Sequence, residues 1–366
     1  MLERFHVPDD QAVFVKQERA RAATEAIFKK MGLSDDDAEL SADVLMYADL
    51  HGIDTHGVSN MLRMYVKGYQ EGSINPRPNV KVARESTVAA TLDGDAGLGL
   101  HVAPHAMDMA IDKAKEHGVG VVTVRNAGHL GAAGYHATRA LKHDMIGVCM
   151  TGGGGFAMLP TFGAEPRFGT NPIAWAAPAR NQPHFIFDAA TTQVAGNKIR
   201  LLQRMNVPIA PGWLANDDGS PILEEAPVPD DDIRGENRHW YMLPFGGTRE
   251  NGSHKGYGFA CIVDIMCCTL SGTGPGFISN KSGHYFAAYS IDAFTDVDTF
   301  KDDMDAFLGG LAATKPAPGH ERVFYPGLPE HEEYQKRSTK GIPYHPEVVD
   351  WFNSISAELE LDLQLP

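Results

Sequence analysis

A chain of 366 residues has room for one large or two ordinary domains with a real core, and 43% hydrophobic with 22% charged residues is the balance of an ordinary soluble globular protein. Forty-seven acidic against 32 basic residues give a net charge of −15, which speaks against nucleic-acid or anionic-membrane binding, because both need a positive footprint. An anionic substrate would need cations or backbone amides supplied locally.

In chain order, residues 11–31 place apolar groups at helical spacing and stop at Gly32. The next stretch, SDDDAELSADVLMYADL, opens with Ser34 and Asp37 as a capping box and acids in its first turn. That helix runs into HGIDTHG (51–57), and a third helix, NMLRMYVKGYQEG, leaves it. From residue 80, NVKVARESTVAATLDGD reads as short strands with a turn. A helix follows to His117-Gly118, then strand VGVVTVRN, loop AGHLGAAG, helix YHATRALKHD and strand MIGVCMT. Strand, loop, helix and strand of these lengths predict an α/β layer. Residues 152–172 are rich in Gly and Pro and read as a long functional loop. VAGNKIRLLQRMN is a helix, 208–238 an exposed excursion rich in Pro, Asp and Glu, 256–271 a long apolar helix, and the tail from about Asp292 a set of helices.

Cys149, Cys261, Cys267 and Cys268 sit in apolar stretches at spacings that fit neither a zinc ribbon nor a disulfide framework, and read as buried thiols in a reducing compartment. The N-terminal stretch lacks a cationic-then-apolar signal, and the most apolar segment, near 257–272, is broken by Asp264 before the ~18 residues a membrane span needs. The expectation is a cytoplasmic protein.

The common nucleotide motifs fail their structural tests. GGGGFA (152–157) follows a strand, but Pro160 and Pro166 prevent a helix from leaving that turn. GHLGAAG has strand and helix with the wrong glycine spacing, and GTRENGSHKG (247–256) lacks Lys-Ser/Thr directly after its second Gly. What remains are three glycine-rich loops, TGGGG, FGTNP (with Thr170 and Asn171) and HKGYG (with Lys255 and Gly256), whose amides either bind an anion or merely close turns.

Sixteen histidines raise the question of metal. The spacing in HGIDTHG does not put both rings on one helix face, and no carboxylate or cysteine set accompanies it, so no metal is expected. His101, His105, His117, His136 and His143 fall within or beside helix patterns and read as surface or half-buried residues. His129, flanked by Gly128 and Gly131, lies in a strand-to-helix loop, where ligands dock in α/β layers. A following helix N-terminus favours its neutral form, a base poised near pH 7, although a histidine closing a turn would look the same. His56 stands in the same position of choice, with Asp54 and Thr55 beside it.

Five segments in order, ADLHGIDTHGVSNMLRMYV, GDAGLGLHVAPHAMDMAIDKAKEHGVGVVTVRNAGHLGAAGYHA, GTNPIAWAAP, FDAATTQVAGNKI and HKGYGFACIVDIMCCTLSG, resemble the type-2 malate/L-lactate dehydrogenase family over about residues 10–360. The resemblance implies a mixed α/β, non-Rossmann fold that binds NAD or NADP. It implies an NAD(P)-binding domain over 119–289 and a helical substrate and dimerisation domain from 1–118 and 290–366, working as a homodimer on a small anionic substrate. It makes His129 the proton acceptor and His56 the second active-site histidine, with Asp188 in the catalytic set. Thr55, Asn60 and Arg63 become the substrate wall. Thr151, Gly152, Gly153, Thr170, Asn171, Asp188, Ala189, Ala190, Lys255, Gly256, Pro326 and Gly327 become the cofactor contacts.

Three departures bear on specificity. Many family members carry Arg four residues after the first-site histidine, where this chain has Asn60, with Arg63 three further on. The loop before Lys255 is longer than usual, and Leu328 stands where an acid often follows Pro-Gly. The implied activity is hydride transfer between nicotinamide and a 2-hydroxy/2-oxo acid, which needs a base for the hydroxyl proton. Reduction of a cyclic imine carboxylate, or a catalytically silent relative, are the alternatives.

Overall fold

The computed structural model describes residues 5–231 and 238–366; residues 1–4 of the N-terminal stretch and 232–237 of the excursion lie outside them. The chain opens with β1 (Val13–Val15), α1 (Gln17–Lys30), α2 (Asp35–Leu50) and α3 (Val58–Gln70). The sheet region follows: β2 (Lys81–Glu85), β3 (Ala89–Gly97), α4 (Gly99–His117), β4 (Val119–Ala127), α5 (Ala133–Thr138), β5 (Met145–Gly153), β6 (Ile173–Ala177) and β7 (Phe185–Ala189). Then come α6 (Gly196–Met205), β8 (Leu214–Asn216), β9 (Trp240–Met242), α7 (Ser253–Asp264), α8 (Gly276–Ser279) and β10 (Ser282–Ser290). The chain closes with α9 (Val297–Ala312), α10 (Leu328–Lys340), β11 (Ile342–Tyr344) and α11 (Pro346–Glu358).

The main sheet has seven strands in the order β2-β3-β4-β10-β5-β6-β7. The β3–β4 pair is parallel and the other neighbours are antiparallel, so the sheet is mixed. The strands expected at VGVVTVRN and MIGVCMT are β4 and β5, but β10, from a stretch where the pattern shows no element, separates them. α4 and α5 cover one face, where Val122, Val124 and Phe286 meet Ala103, Met107, Ala110 and Ala137. Helix and strand approach so closely there that a Cβ on Gly147 would stand 2.0 Å from the Ala137 carbonyl. On the other face Val148, Tyr285 and Ala287 pack against Val263, Cys267 and Cys268. A separate helical core joins α1, α2 and α3 to α11 through Ile27, Phe28, Leu45, Met61 and Phe352. Each such side chain contributes roughly 1.5–3 kcal/mol by leaving water.

Three expectations need correction. The first helix begins at Gln17, because Val13–Val15 pairs antiparallel with Ile342–Tyr344, joining the two chain ends. The long apolar helix starts at Ser253 and passes into a π-helical stretch, Ile265–Thr269. The excursion is no mere surface loop: Ile209 and Leu214 are fully buried, and β8 pairs with β9. The sheet also takes in β2 and β3, which precede the domain boundary expected near residue 118. Ser34 caps α2, its hydroxyl accepting from the Asp37 amide at 3.1 Å. Cys149, Cys267 and Cys268 are buried thiols, whereas Cys261 is half-exposed on α7. Among the described residues no helix is long and apolar enough to cross a membrane.

Candidate active site

Between α2 and α3 the chain makes the HGIDTHG turn, and buried polar groups fix its shape. Asp49, at the end of α2, accepts from the Val58 amide (3.1 Å) and from the Tyr344 hydroxyl (2.7 Å). A Cβ on Gly57 would lie 1.8 Å from the Asp49 carboxylate, so only glycine fits there. Arg337 of α10, 2% exposed, clamps the turn from behind. Its guanidinium donates to both Asp54 oxygens (2.5 and 3.1 Å), to the Asp49 carbonyl (2.7 Å) and to Glu333 (2.9 Å). Burial, with the Asp54 charge adding, raises the Asp49 carboxyl to about 7.

The turn presents His56, whose Nδ1 lies 2.8 Å from the Thr55 hydroxyl. Its ring stacks on that of His129, centroids 5.7 Å apart and planes 14° from parallel. His129 arrives from the other direction, in the loop after β4. Its Nδ1 meets the Tyr65 hydroxyl of α3 at 2.7 Å and receives the Gly131 amide at 3.1 Å. The Gly131 N–H can only donate, so in this arrangement Nδ1 is the accepting nitrogen and Nε2 carries the ring proton; a phenol can also accept from Nδ1, but only once the Gly131 amide has released it. Burial, then the charge of Lys198, lowers His56 to about 4, which keeps it neutral at physiological pH.

α6 completes this wall. Asn197 donates to the Thr55 carbonyl at 2.8 Å, and burial lowers the Lys198 ammonium. Lys198 and Tyr65 are the functional side chains that motif reasoning missed. A lysine in the first turn of a helix opposes the macrodipole, and that was the available signal for Lys198.

Asn60 and Arg63 do not join the histidines. The Asn60 amide donates to the Asp54 carbonyl (3.2 Å), and its oxygen faces Arg204 (3.5 Å). Arg63 lies on the opposite side of α3 from Tyr65, where it pairs with Glu347 (3.5 Å) and lies over the Trp351 ring. The expected substrate wall therefore keeps Thr55 and loses Arg63, because Tyr65 takes the inward face of that helix.

The glycine loop at the end of β5 is tied through His284 to the Gly128 carbonyl, one residue before His129. Gly153, Gly154 and Gly155 have φ of 74°, 64° and 55°, and a Cβ on Gly155 would meet nothing within 4 Å. Nearby, Asn171 (φ 39°) donates to the Ala260 carbonyl at 3.1 Å while its buried side-chain oxygen has no partner. Thr170 accepts the Thr191 amide through its carbonyl (2.9 Å). Open glycine amides beside an unpaired buried acceptor fit the phosphates and amide of a dinucleotide.

Asp188, on β7 with Ala189 and Ala190 after it, accepts the Gly134 amide at 2.6 Å. Its carboxylate is solvent-accessible but set deep among protein atoms, which raises it to about 6, and its charge helps push the Tyr47 phenol up. The Pro326 carbonyl accepts the Ile186 amide (3.1 Å), and Gly327 (φ 99°) packs against His184, placing that turn beside the same strand. Lys255 is exposed in the first turn of α7, and the backbone of Phe245 crosses so near Gly256 that a Cβ there would come within 2.4 Å. The far end of α7 abuts Gly152. Among the described residues no group of three or more His, Cys, Asp or Glu is placed to hold a metal ion.

Comparison with known proteins gives the chain's family and fold. Residues 15–353 match the family profile described as malate/L-lactate dehydrogenase. The malate dehydrogenase of Pyrococcus abyssi is 36% identical over 364 residues, 97% of each chain. The L-sulfolactate dehydrogenase of Methanocaldococcus jannaschii is 34% identical over 360 residues, 96% of this chain and 99% of that one. The crystal structure of malate dehydrogenase from Entamoeba histolytica superposes with a TM-score of 0.90 at 30% identity, covering 96% of this chain and 99% of that one.

Proposed function

The chain belongs to the malate/L-lactate dehydrogenase family and is a hydroxy-acid oxidoreductase, and we propose that His129 moves the proton while Lys198 holds the substrate carboxylate. The observation that carries this reading is the stacked His56–His129 pair, with Tyr65 on His129 and Lys198 beside His56. When bound, a nicotinamide supplies the hydride acceptor or donor at its C4. His129 takes the proton from the substrate hydroxyl at Nε2 in oxidation and returns it to the carbonyl oxygen in reduction. This uses the Nδ1–H tautomer, in which the Gly131 amide lets go of Nδ1 and the Tyr65 oxygen accepts the ring hydrogen in its place. His56, neutral, offers a hydrogen bond without competing for the proton. In a chain of net charge −15, Lys198 is a local cation for the acid, and partial burial strengthens its pairing with a carboxylate.

The small dicarboxylates and sulfonated acids implied by the relatives' names are the substrate class this site suits, with NAD or NADP bound along the glycine loop, Asp188 and the Pro326–Gly327 turn. The decisive experiment screens 2-oxo acids and cyclic imine carboxylates with NADH and NADPH, followed at 340 nm. His129→Ala is expected to lower turnover ~10²–10⁴-fold with cofactor affinity little changed. Wild-type turnover by a folded His129→Ala protein would end the assignment.

A homodimer is part of the proposal. Phe259 and Ile262 of α7 and Ile265 of the π-helical stretch that follows are about half exposed, as are Leu270 and Phe277, with Ile278 more so. A run of exposed apolar side chains of this kind marks an interaction surface. Light scattering on Ile262→Glu should read a monomer where the wild type reads a dimer, and a wild-type monomer would refute it. Free thiols at Cys149, Cys267 and Cys268 suit a reducing cytoplasm.

A further inference from the structure

His129 is bracketed by two other histidines that the proposed mechanism does not use. His284, in the central strand β10, places its Nε2 3.0 Å from the Gly128 carbonyl. His136, in α5, places its Nε2 2.8 Å from the Leu130 carbonyl. A carbonyl oxygen only accepts, so each ring must carry a proton on Nε2 and donate it. We infer that His284 and His136 are paired positioning residues, which hold the peptide groups on either side of His129 and so fix where its ring stands. This rests on the reading of His129 as the proton-transfer residue.

Both imidazoles are sealed in the interior, 1% and 0% exposed. Burial drives His284 to about 4 and His136 to about 3, so neither places a positive charge beside His129 at working pH. His136 accepts a cost for its place: its Nδ1 is buried without a partner. An apolar side chain would avoid that cost, and the bond to Leu130 is what the imidazole provides in return. His284 does more. With Nε2–H committed to Gly128, its Nδ1 accepts the Thr151 hydroxyl at 2.8 Å. Thr151 opens the glycine loop, so one ring ties the proposed cofactor loop to the His129 loop. The sheet makes this possible: in the antiparallel register His284 stands directly opposite Thr151 on one side and Val124 on the other, four residues before Gly128. The two brackets then differ in one respect. Loss of His136 frees only the His129 side, whereas loss of His284 frees both loops.

The test compares His136→Leu, His136→Gln, His284→Leu and His284→Gln. Glutamine can return an N–H near the Nε2 position, and leucine cannot. Three readouts are taken: kcat against pH, cofactor affinity by tryptophan fluorescence with NADH and NADPH, and hydrogen exchange at the Gly131 amide. Both Leu variants are expected to lose ~10–100-fold in kcat, the usual cost of a catalytic group displaced by about 1 Å. They should also shift the pH limb assigned to His129 and speed Gly131 exchange, and the Gln variants should recover most of the loss. Only His284→Leu should also weaken cofactor binding. Folded Leu variants with an unmoved pH limb and unmoved Gly131 exchange would overturn the inference. If the Leu variants do not fold, ¹⁵N spectra of the wild-type imidazoles decide. Two neutral Nε2–H rings support the bracket, and an Nδ1–H or charged ring at either position refutes it. Should His129→Ala retain turnover while Gly131 exchange still answers to His136→Leu, the proton-transfer role falls and the bracket remains.

Discussion

Replacing Arg337 with Met tests whether the HGIDTHG turn owes its shape to a buried clamp. The guanidinium is 2% exposed, and Asp54, its bidentate partner, retains 14% of its side-chain exposure. Met fills most of the volume and removes the charge, leaving Asp54 and Glu333 without their counter-ion in a poorly solvated site. Stranding one member of a buried pair costs about 3–5 kcal/mol, far more than the ~0–1 kcal/mol of a surface bridge. The slope is roughly 2–4 °C per kcal/mol for chains of 150–250 residues, and its lower end, which suits this longer chain, gives a melting-temperature drop of ~6–10 °C. Because Asp54 precedes Thr55 and His56, kcat/KM should also fall, by ~10-fold or more at 20 °C, where the protein stays folded. Calorimetry and chemical denaturation on Arg337→Met, Asp54→Asn and the double variant complete a mutant cycle. The double variant should lose clearly less than the sum of the singles, because Asn no longer needs the cation. A loss under about 1 kcal/mol for Arg337→Met, or strict additivity, would show that the pair does not hold the turn.

Lys198→Met should raise KM for a 2-oxo acid ~10–100-fold with a smaller change in kcat, as expected for a lost charge-assisted bond of about 1.5–3 kcal/mol. Arg63→Lys, on the outer face of α3, should leave KM within about twofold; the reverse ranking would return the carboxylate to Arg63. Stability should fall as pH drops from about 6.5 toward 4, because His56, His101, His136 and His284 are held near 4, 4, 3 and 4 and the unfolded chain takes up those protons first. Asp49, raised to about 7, and Asp188, raised to about 6, act in the opposite sense over this window, since their unfolded forms have already released their protons. Four protons against two leave a net loss, at about 1.4 kcal/mol per pH unit for each unmatched proton, readable as melting temperature against pH. A flat or rising profile on acidification would contradict the burial of these rings.

Much of this was legible in the sequence where local chemistry decides. Ser34 with three following aspartates announces α2, and Gly118 in the left-handed region (φ 81°) ends α4 as its position implied. β10 was not legible. GHYFAAYS is buried on both faces, so it shows neither the alternation of a half-exposed strand nor the period of a helix. The glycine flanks of His56 and His129, together with the family resemblance, marked both rings. Arg337 could not be found that way: with Glu333 one turn earlier, it has the pattern of an exposed i,i+4 pair, and only the packing of α10 on α2 turns it inward. Arg63 misled for the converse reason. Counting residues from His56 gives its distance along α3 but not which side faces inward, and Tyr65 holds that side.

The placement of β10 also explains why the two functional loops, which follow different strands, work as one. β4 delivers His129 and β5 delivers the Thr151 loop, and these strands are not neighbours; β10 lies between them and hydrogen-bonds both. Its His284 reaches back 133 residues to Thr151 and 156 residues to Gly128. Neither loop has a comparable link to the other within the 119–153 segment, so their relative position is set only when a strand from much later in the chain inserts. α4, β4, α5 and β5 are contiguous in the chain, whereas the two loops are joined only through the pairing of β10, which closes a much longer loop. A histidine at that position thus joins a strand from much later in the chain to the chemistry, and geometry at His129 becomes a property of the completed sheet and not of the GHLG loop alone.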